Sequence, residues 1–124
     1  MARFLIVLAL GATLAAATPA FAADATAGQF VYKAKCAMCH GVTAKAPAGI
    51  GPRLFGVIGR KAGTLPGYTF SPAMKASGLT WTAVAVKRFL ANPQGTVRGT
   101  KMPFAPMTAA ADRDNVAAYL ATLR

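Results

Sequence analysis

Cys36-Ala37-Met38-Cys39-His40 is the stretch of this chain whose residue types and spacing most clearly specify chemistry. Two thiols three residues apart at the end of a helical turn lie on one face. Both can therefore reach the two vinyl groups on one edge of a porphyrin and form thioethers there. The next side chain is an imidazole, whose neutral ring nitrogen binds iron. A Cys-x-x-Cys pair also serves in thiol redox exchange or as half of a zinc site. Zinc needs further ligands, and the chain holds 2 Cys and 1 His in all. The redox use expects a strand-to-helix setting, which the sequence before Cys36 does not supply. The motif predicts one haem c attached through Cys36 and Cys39, with His40 on the iron.

Four helices are predicted to position this motif, in an all-α domain with long loops wrapped around the haem. The first spans roughly 26–36, where Gly28, Tyr32 and Cys36 fall four apart on one face beside Val31. A short second helix follows Ser71-Pro72, an N-cap and first-turn pair, and stops at Gly78. The third begins after Thr82, carries Val86, Phe89 and Leu90 on one face, and ends at Asn92-Pro93. The last follows Thr108 and repeats apolar residues at Val116, Tyr119, Leu120 and Leu123. Gly- and Pro-rich loops fill 41–70 and 94–107. The first is longer than a compact domain ordinarily carries without structure, unless a prosthetic group fills the core beneath it. No alternating strand pattern, internal repeat or second attachment motif is present.

Residues 1–22 read as a secretory signal peptide: Arg3, an apolar run over Phe4–Leu10, and an Ala20-Phe21-Ala22 cleavage site. Gly11, Thr13, Thr18 and Pro19 dilute the run below the length of a membrane span. Cleavage before Ala23 leaves a single small domain, 23–124, with no permanent anchor, expected as a monomer in the periplasm. An oxidising compartment also suits thioether attachment. In 23–124 the basic residues face only Asp24, Asp112 and Asp114, and there is no Glu. Such an excess of positive charge steers toward acidic partner faces. Nucleic acid is not expected as a partner, because no matching motif occurs and an exported protein has little access to it.

The sixth iron position has few candidates. With His40 the single histidine, a second imidazole is excluded, leaving methionine, lysine or an open position. Met1 lies in the leader, Met38 lies inside the attachment motif, and Met74 sits in a short helix as a packing residue. Met102 and Met107 remain, both in the second loop. Met102 is preferred, because Gly99-Thr100-Lys101 before it allows close backbone approach and Pro103, Phe104 and Pro106 stiffen the far side.

Beyond the attachment motif, Gly28 and Tyr32 ahead of it, Gly51-Pro52-x-Leu54, Gly59-Arg60-Lys61, Gly78-Leu79-Thr80-Trp81, Asn92-Pro93 and Gly99-Thr100-Lys101-Met102-x-Phe104-Ala105 follow in order. Together they resemble a class I cytochrome c, similar to the mitochondrial kind and its soluble bacterial relatives. The resemblance covers essentially all of 23–124. It implies His40 and Met102 as the iron ligands and the Pro52 carbonyl as acceptor for the free nitrogen of His40. It implies contacts of Arg60, Ser71, Trp81 and Thr100 with the haem propionates, and a docking face around Lys35, Lys87, Arg98 and Lys101. It further implies that Gly28 lets the first helix cross the last near Val116 and Tyr119. Phe89 and Phe70 depart from the family pattern, each standing where a tyrosine is usual.

The function this implies is a soluble, exported one-electron carrier, not an enzyme. It would shuttle between respiratory or photosynthetic partners: a quinol-oxidising complex, terminal oxidase, reaction centre or periplasmic dehydrogenase. The alternative is a haem enzyme or gas sensor with an open distal site.

Overall fold

The computed structural model describes residues 16–17 and 22–124. The expected leader therefore lies almost wholly outside the described residues.

Among the described residues five helices form, one more than expected there: α1 (Ala25–Lys35), α2 (Pro72–Ala76), α3 (Ala83–Ala91), α4 (Pro93–Thr96) and α5 (Ala110–Ala121). Asp24 starts α1 by accepting from the amides of Thr26 and Ala27 at 2.8 and 3.2 Å, satisfying two of the donors that a helix start leaves open. Ser71 and Thr82 cap α2 and α3 in the same way, from the amides of Met74 and Ala85. The start of α5 has no side-chain cap. There Arg113 Nη1 donates to the carbonyls of Met107 and Thr108 at 2.6 and 3.0 Å and ties the helix to the loop before it.

The extra helix corrects the expectation of a plain loop over 94–107. Asn92-Pro93, read as the stop of α3, is also the start of α4. Asn92 Oδ1 accepts from the Gly95 amide at 2.9 Å, and Pro93 occupies the first turn, where its missing N–H costs nothing.

Helix α1 packs across α5. An added Cβ on Gly28 would lie 1.9 Å from the Asn115 carbonyl oxygen and 2.9 Å from the Tyr119 Cβ, so only glycine allows this approach. Tyr32 and Tyr119 stack below the crossing at 5.5 Å, beside Val116, which is 1% exposed. The Asp24 amide also donates to Asn115 Oδ1 at 2.8 Å. Helix α3 adds Val86 and Leu90 to the same cluster, with Val57 and Met107 from the loops. A second cluster joins Ala62, Met74, Phe89 and Val97. Trp81 and Met102 touch both clusters.

The long first loop is pinned by its backbone. Leu54 donates to the Gly41 carbonyl at 2.7 Å and Gly56 to the Leu123 carbonyl at 2.7 Å. Gly59 donates to Trp81, Trp81 to Arg60 and Ala62 to Leu79, at 2.8 to 2.9 Å, around an antiparallel bridge between Lys61 and Thr80. Among the described residues that bridge is isolated and forms no named strand. No helix among the described residues is long and apolar enough to cross a membrane.

Candidate functional site

The turn that follows α1 presents the motif. Cys36 and Ala37 donate to the Tyr32 carbonyl at 2.8 and 3.0 Å, and Cys39 and His40 donate to the Cys36 carbonyl at 3.0 Å. Continuing the helix by one tight turn turns both thiols toward one cavity, which they line without a disulfide between them. Met38, between them, is 89% exposed and does not line it.

The His40 ring is held from two sides. Its Nδ1 lies 2.7 Å from the Pro52 carbonyl oxygen, so Nδ1 carries the proton and Nε2 keeps a free lone pair. Gly51 passes so close that an added Cβ would lie 2.5 Å from Cε1 and 2.9 Å from Nε2. Burial pushes the imidazole below its ordinary pKa, and the Pro52 bond only partly opposes this, which favours the neutral form that a metal needs. The Tyr32 hydroxyl donates to the His40 carbonyl. Burial also raises the Cys36 thiol, partly opposed by Lys35.

All nine residues expected at the site, Cys36, Cys39, His40, Pro52, Arg60, Ser71, Trp81, Thr100 and Met102, line this one cavity. It encloses about 1300 Å³ of space free of protein atoms, its solvent-facing mouth included. Leu54, Val57, Val86, Phe89, Leu90, Phe104, Val116 and Leu120 supply apolar walls. Met107 is not part of the lining: it is 3% exposed, packed in the first cluster, with its amide donating to the Leu90 carbonyl at 2.8 Å.

The polar residues fit a group with an apolar body and an anionic edge. Arg60 donates to the carbonyls of Arg53 and Phe55 at 3.0 and 3.2 Å and meets no carboxylate among the described residues. Its guanidinium is partly buried beside Arg53, and both burial and that like charge weaken its hold on the proton. Such a cation calls for an anionic partner. The Trp81 indole packs edge-on to Phe89 at 5.2 Å. Thr100 is buried, and its hydroxyl accepts from the Met102 amide at 3.4 Å. Free thiols, a neutral oriented imidazole and an unpaired cation at one apolar cavity are the donor set a covalently held haem requires.

Of the expected docking residues, Lys35 and Lys101 line the cavity and are exposed. Lys87 and Arg98 do not line it, and Lys87 pairs with Asp114 at 3.1 Å. Lys61 and Tyr68 line the cavity without having been singled out as rim residues. The Tyr68 hydroxyl donates to the Ile50 carbonyl at 3.0 Å, while Lys101 Nζ sits 4.8 Å from the Tyr68 ring centre and donates to the Thr69 carbonyl. Tyr68 stands in a Gly- and Pro-rich loop with no periodicity, so no sequence signal marked it.

Comparison with known proteins agrees with this arrangement. The family model described as cytochrome c matches residues 25–124. Cytochrome c2 of Rhodomicrobium vannielii is 44% identical over 114 residues, covering 91% of this chain and 90% of that protein. Cytochrome c2 of Rhodoblastus acidophilus is 47% identical over 103 residues, covering 83% and 95%. Among solved structures, cytochrome cH from Methylobacterium extorquens superposes with a TM-score of 0.75 at 43% identity, covering 80% of this chain and 98% of that one. The chain belongs to the cytochrome c family, with the small class I fold, and its attachment motif carries haem c.

Proposed function

We propose that the chain is an exported one-electron carrier whose iron is held by His40 and Met102, and that it is not an enzyme. The observation that carries this reading is the single cavity that brings Cys36, Cys39 and His40 together with Met102 and leaves Met107 in the core. Haem bound there supplies a reversible ferrous/ferric couple, and a His/Met pair favours a comparatively high potential. The chain's residues do the rest. Pro52 fixes the tautomer of His40, the apolar walls would keep water from the metal, and Arg60, Ser71, Trp81 and Thr100 would hold the propionates. Two protein ligands leave no position for a substrate, which separates this reading from an open-site enzyme or gas sensor.

The relatives named cytochrome c2 support a role as a shuttle between redox proteins. The leader-like residues 1–22 and the domain that follows support a monomer released into the periplasm. The partners are acidic faces of a quinol-oxidising complex, terminal oxidase, reaction centre or periplasmic dehydrogenase, met by a rim led by Lys35 and Lys101. Charge reversal at Lys35 or Lys101 is expected to slow reaction with an acidic partner at low salt. The defect should shrink as the Debye length falls from about 30 Å at 0.01 M to about 8 Å at 0.15 M. Rates indifferent to salt and to both substitutions remove the steering role. A high-spin ferric spectrum with rapid cyanide binding at neutral pH removes the carrier itself.

A further inference from the structure

The segment that carries Met102 has little regular structure of its own. Between the end of α4 at Thr96 and the start of α5 at Ala110 there is no helix. One tight turn precedes the methionine: the Thr100 amide donates to the Val97 carbonyl at 3.0 Å, and Gly99 stands at the third position with φ +92°. That is the glycine-demanding corner of a type II turn. Such a corner is easily remodelled when only one backbone bond closes it.

The side chain of Gln94, from α4, adds two bonds at this corner. Its Oε1 accepts from the Gly99 amide at 3.1 Å, and its Nε2 donates to the Thr100 carbonyl at 2.9 Å. One planar amide thus brackets the Gly99-Thr100 dipeptide from both ends, and both bonds are satisfied only while the corner keeps this shape. Thr100 is then placed so that its hydroxyl accepts from the Met102 amide at 3.4 Å. Helix α4 is itself anchored by the Asn92 cap and by Thr96 Oγ1, which donates to the Arg88 carbonyl of α3 at 3.2 Å. A continuous path runs from the rigid α3 through α4 and the Gln94 amide to the residue next but one before Met102.

We infer that Gln94 is a positioning residue for Met102, clamping the Val97–Thr100 turn so that the thioether stays at the sixth position and outside ligands are kept off. The inference rests on Met102 being the ligand and adds what keeps it there. Gln94 touches neither the iron nor the haem in this account. It acts through the turn alone.

The test uses the ferric holoprotein with imidazole as the competing ligand. Wild type is compared with Gln94→Ala, which loses both bonds, and Gln94→Glu, which keeps an acceptor for Gly99 but turns a carboxylate oxygen on the Thr100 carbonyl. Losing two net hydrogen bonds at an exposed site is expected to raise imidazole affinity by about fivefold or more, with matching acceleration of Gly99 amide exchange. Amides in α1 and α5 should exchange as in wild type. Gln94→Glu should raise imidazole affinity as Gln94→Ala does, because the donor to Thr100 is lost in both, while accelerating Gly99 exchange less, because an acceptor for that amide is kept. Unchanged imidazole affinity in both variants overturns the inference, even if Gly99 exchange accelerates, because the clamp would then not act on the ligand. Acceleration spread evenly over α1 and α5 overturns it too, since it marks global loosening. Met102→Ala run alongside separates the two claims: if it keeps the native spectrum, the ligand assignment has failed and not the clamp on Gly99.

Discussion

His40 and Met102 reach the same cavity from segments built in opposite ways. The histidine follows an 11-residue helix whose last turn continues through Cys36 and His40 by backbone hydrogen bonds. Its ring is wedged between the Pro52 carbonyl and the bare backbone of Gly51, and that helix is locked to α5 at Gly28. The methionine stands on a loop held by scattered single bonds: the Val97–Thr100 turn, the Gln94 amide, the Thr100 hydroxyl, the Phe104 amide on the Met102 carbonyl, Lys101 on Thr69, and the Met107 amide on Leu90, with Arg113 at its far end. Close packing and backbone ladders fix the first region many times over, whereas single bonds fix the second. The attachment side is thus where the fold is specified, and the methionine side is where the proposed ligation could change without unfolding.

Breaking the attachment side should cost the most stability. Gly28→Val would drive a branched side chain into the backbone of Asn115, which cannot step aside without separating α1 from α5. Overpacking against backbone at the main helix crossing is expected to cost about 3 kcal/mol or more in urea unfolding. Gly51→Ala is the smaller version, because its Cβ would meet the edge of the His40 ring at 2.5 Å and the loop can shift slightly. About 1–3 kcal/mol is expected. A Gly28→Val protein as stable as wild type would erase the contrast between the two sides.

A gentler test uses pH. Burial lowers the pKa of His40 in the folded chain, and the proposed iron bond to the other ring nitrogen would act in the same direction. The unfolded chain then binds the proton more readily than the folded one, so stability rises with pH in the window between the two values. The contribution of His40 is fully present above the unfolded value of about 6.5 and is lost as pH falls from there through the depressed folded value. Urea midpoints at pH 7 and pH 5 should therefore differ, with the lower value at pH 5. Equal midpoints would mean that the fold adds nothing to keeping the imidazole neutral, as when the tethered iron holds it neutral in the unfolded chain as well.

The same contrast governs what the sequence made legible. The attachment side is written in short, local signals. The Cys-x-x-Cys-His motif, the glycine and tyrosine four apart ahead of it, and Gly51-Pro52 each correspond to a contact found in the fold. Helices α1, α3 and α5 are long enough to show an apolar period; the bounds of α1 and α3 hold to within a residue or two, while α5 stops at Ala121, short of the expected end at the C-terminal Leu123-Arg124. On the methionine side, α4 has 4 residues and no period to show, and Asn92-Pro93 looked only like an ending. The Gln94 clamp joins a side chain to backbone groups five and six residues away, and no residue pattern encodes such a bond. Arg60 was identifiable by resemblance, but its carbonyl partners depend on how the first loop folds back. Lys87 was placed on the docking rim by resemblance, and its partly exposed pairing with Asp114 depends on how α3 and α5 come together, which no local residue pattern encodes.

The central claim is that His40 and Met102 together hold the iron, and the ferric absorption spectra of Met102→Ala and Met107→Ala test it most directly. Met107 is the buried core residue, so Met107→Ala should lose stability by about 2–5 kcal/mol, as core truncations do, yet keep the far-red methionine–iron charge-transfer band. Met102→Ala should lose that band, turn high-spin and bind added imidazole. A high-spin Met107→Ala beside a Met102→Ala protein with the native spectrum would contradict the account.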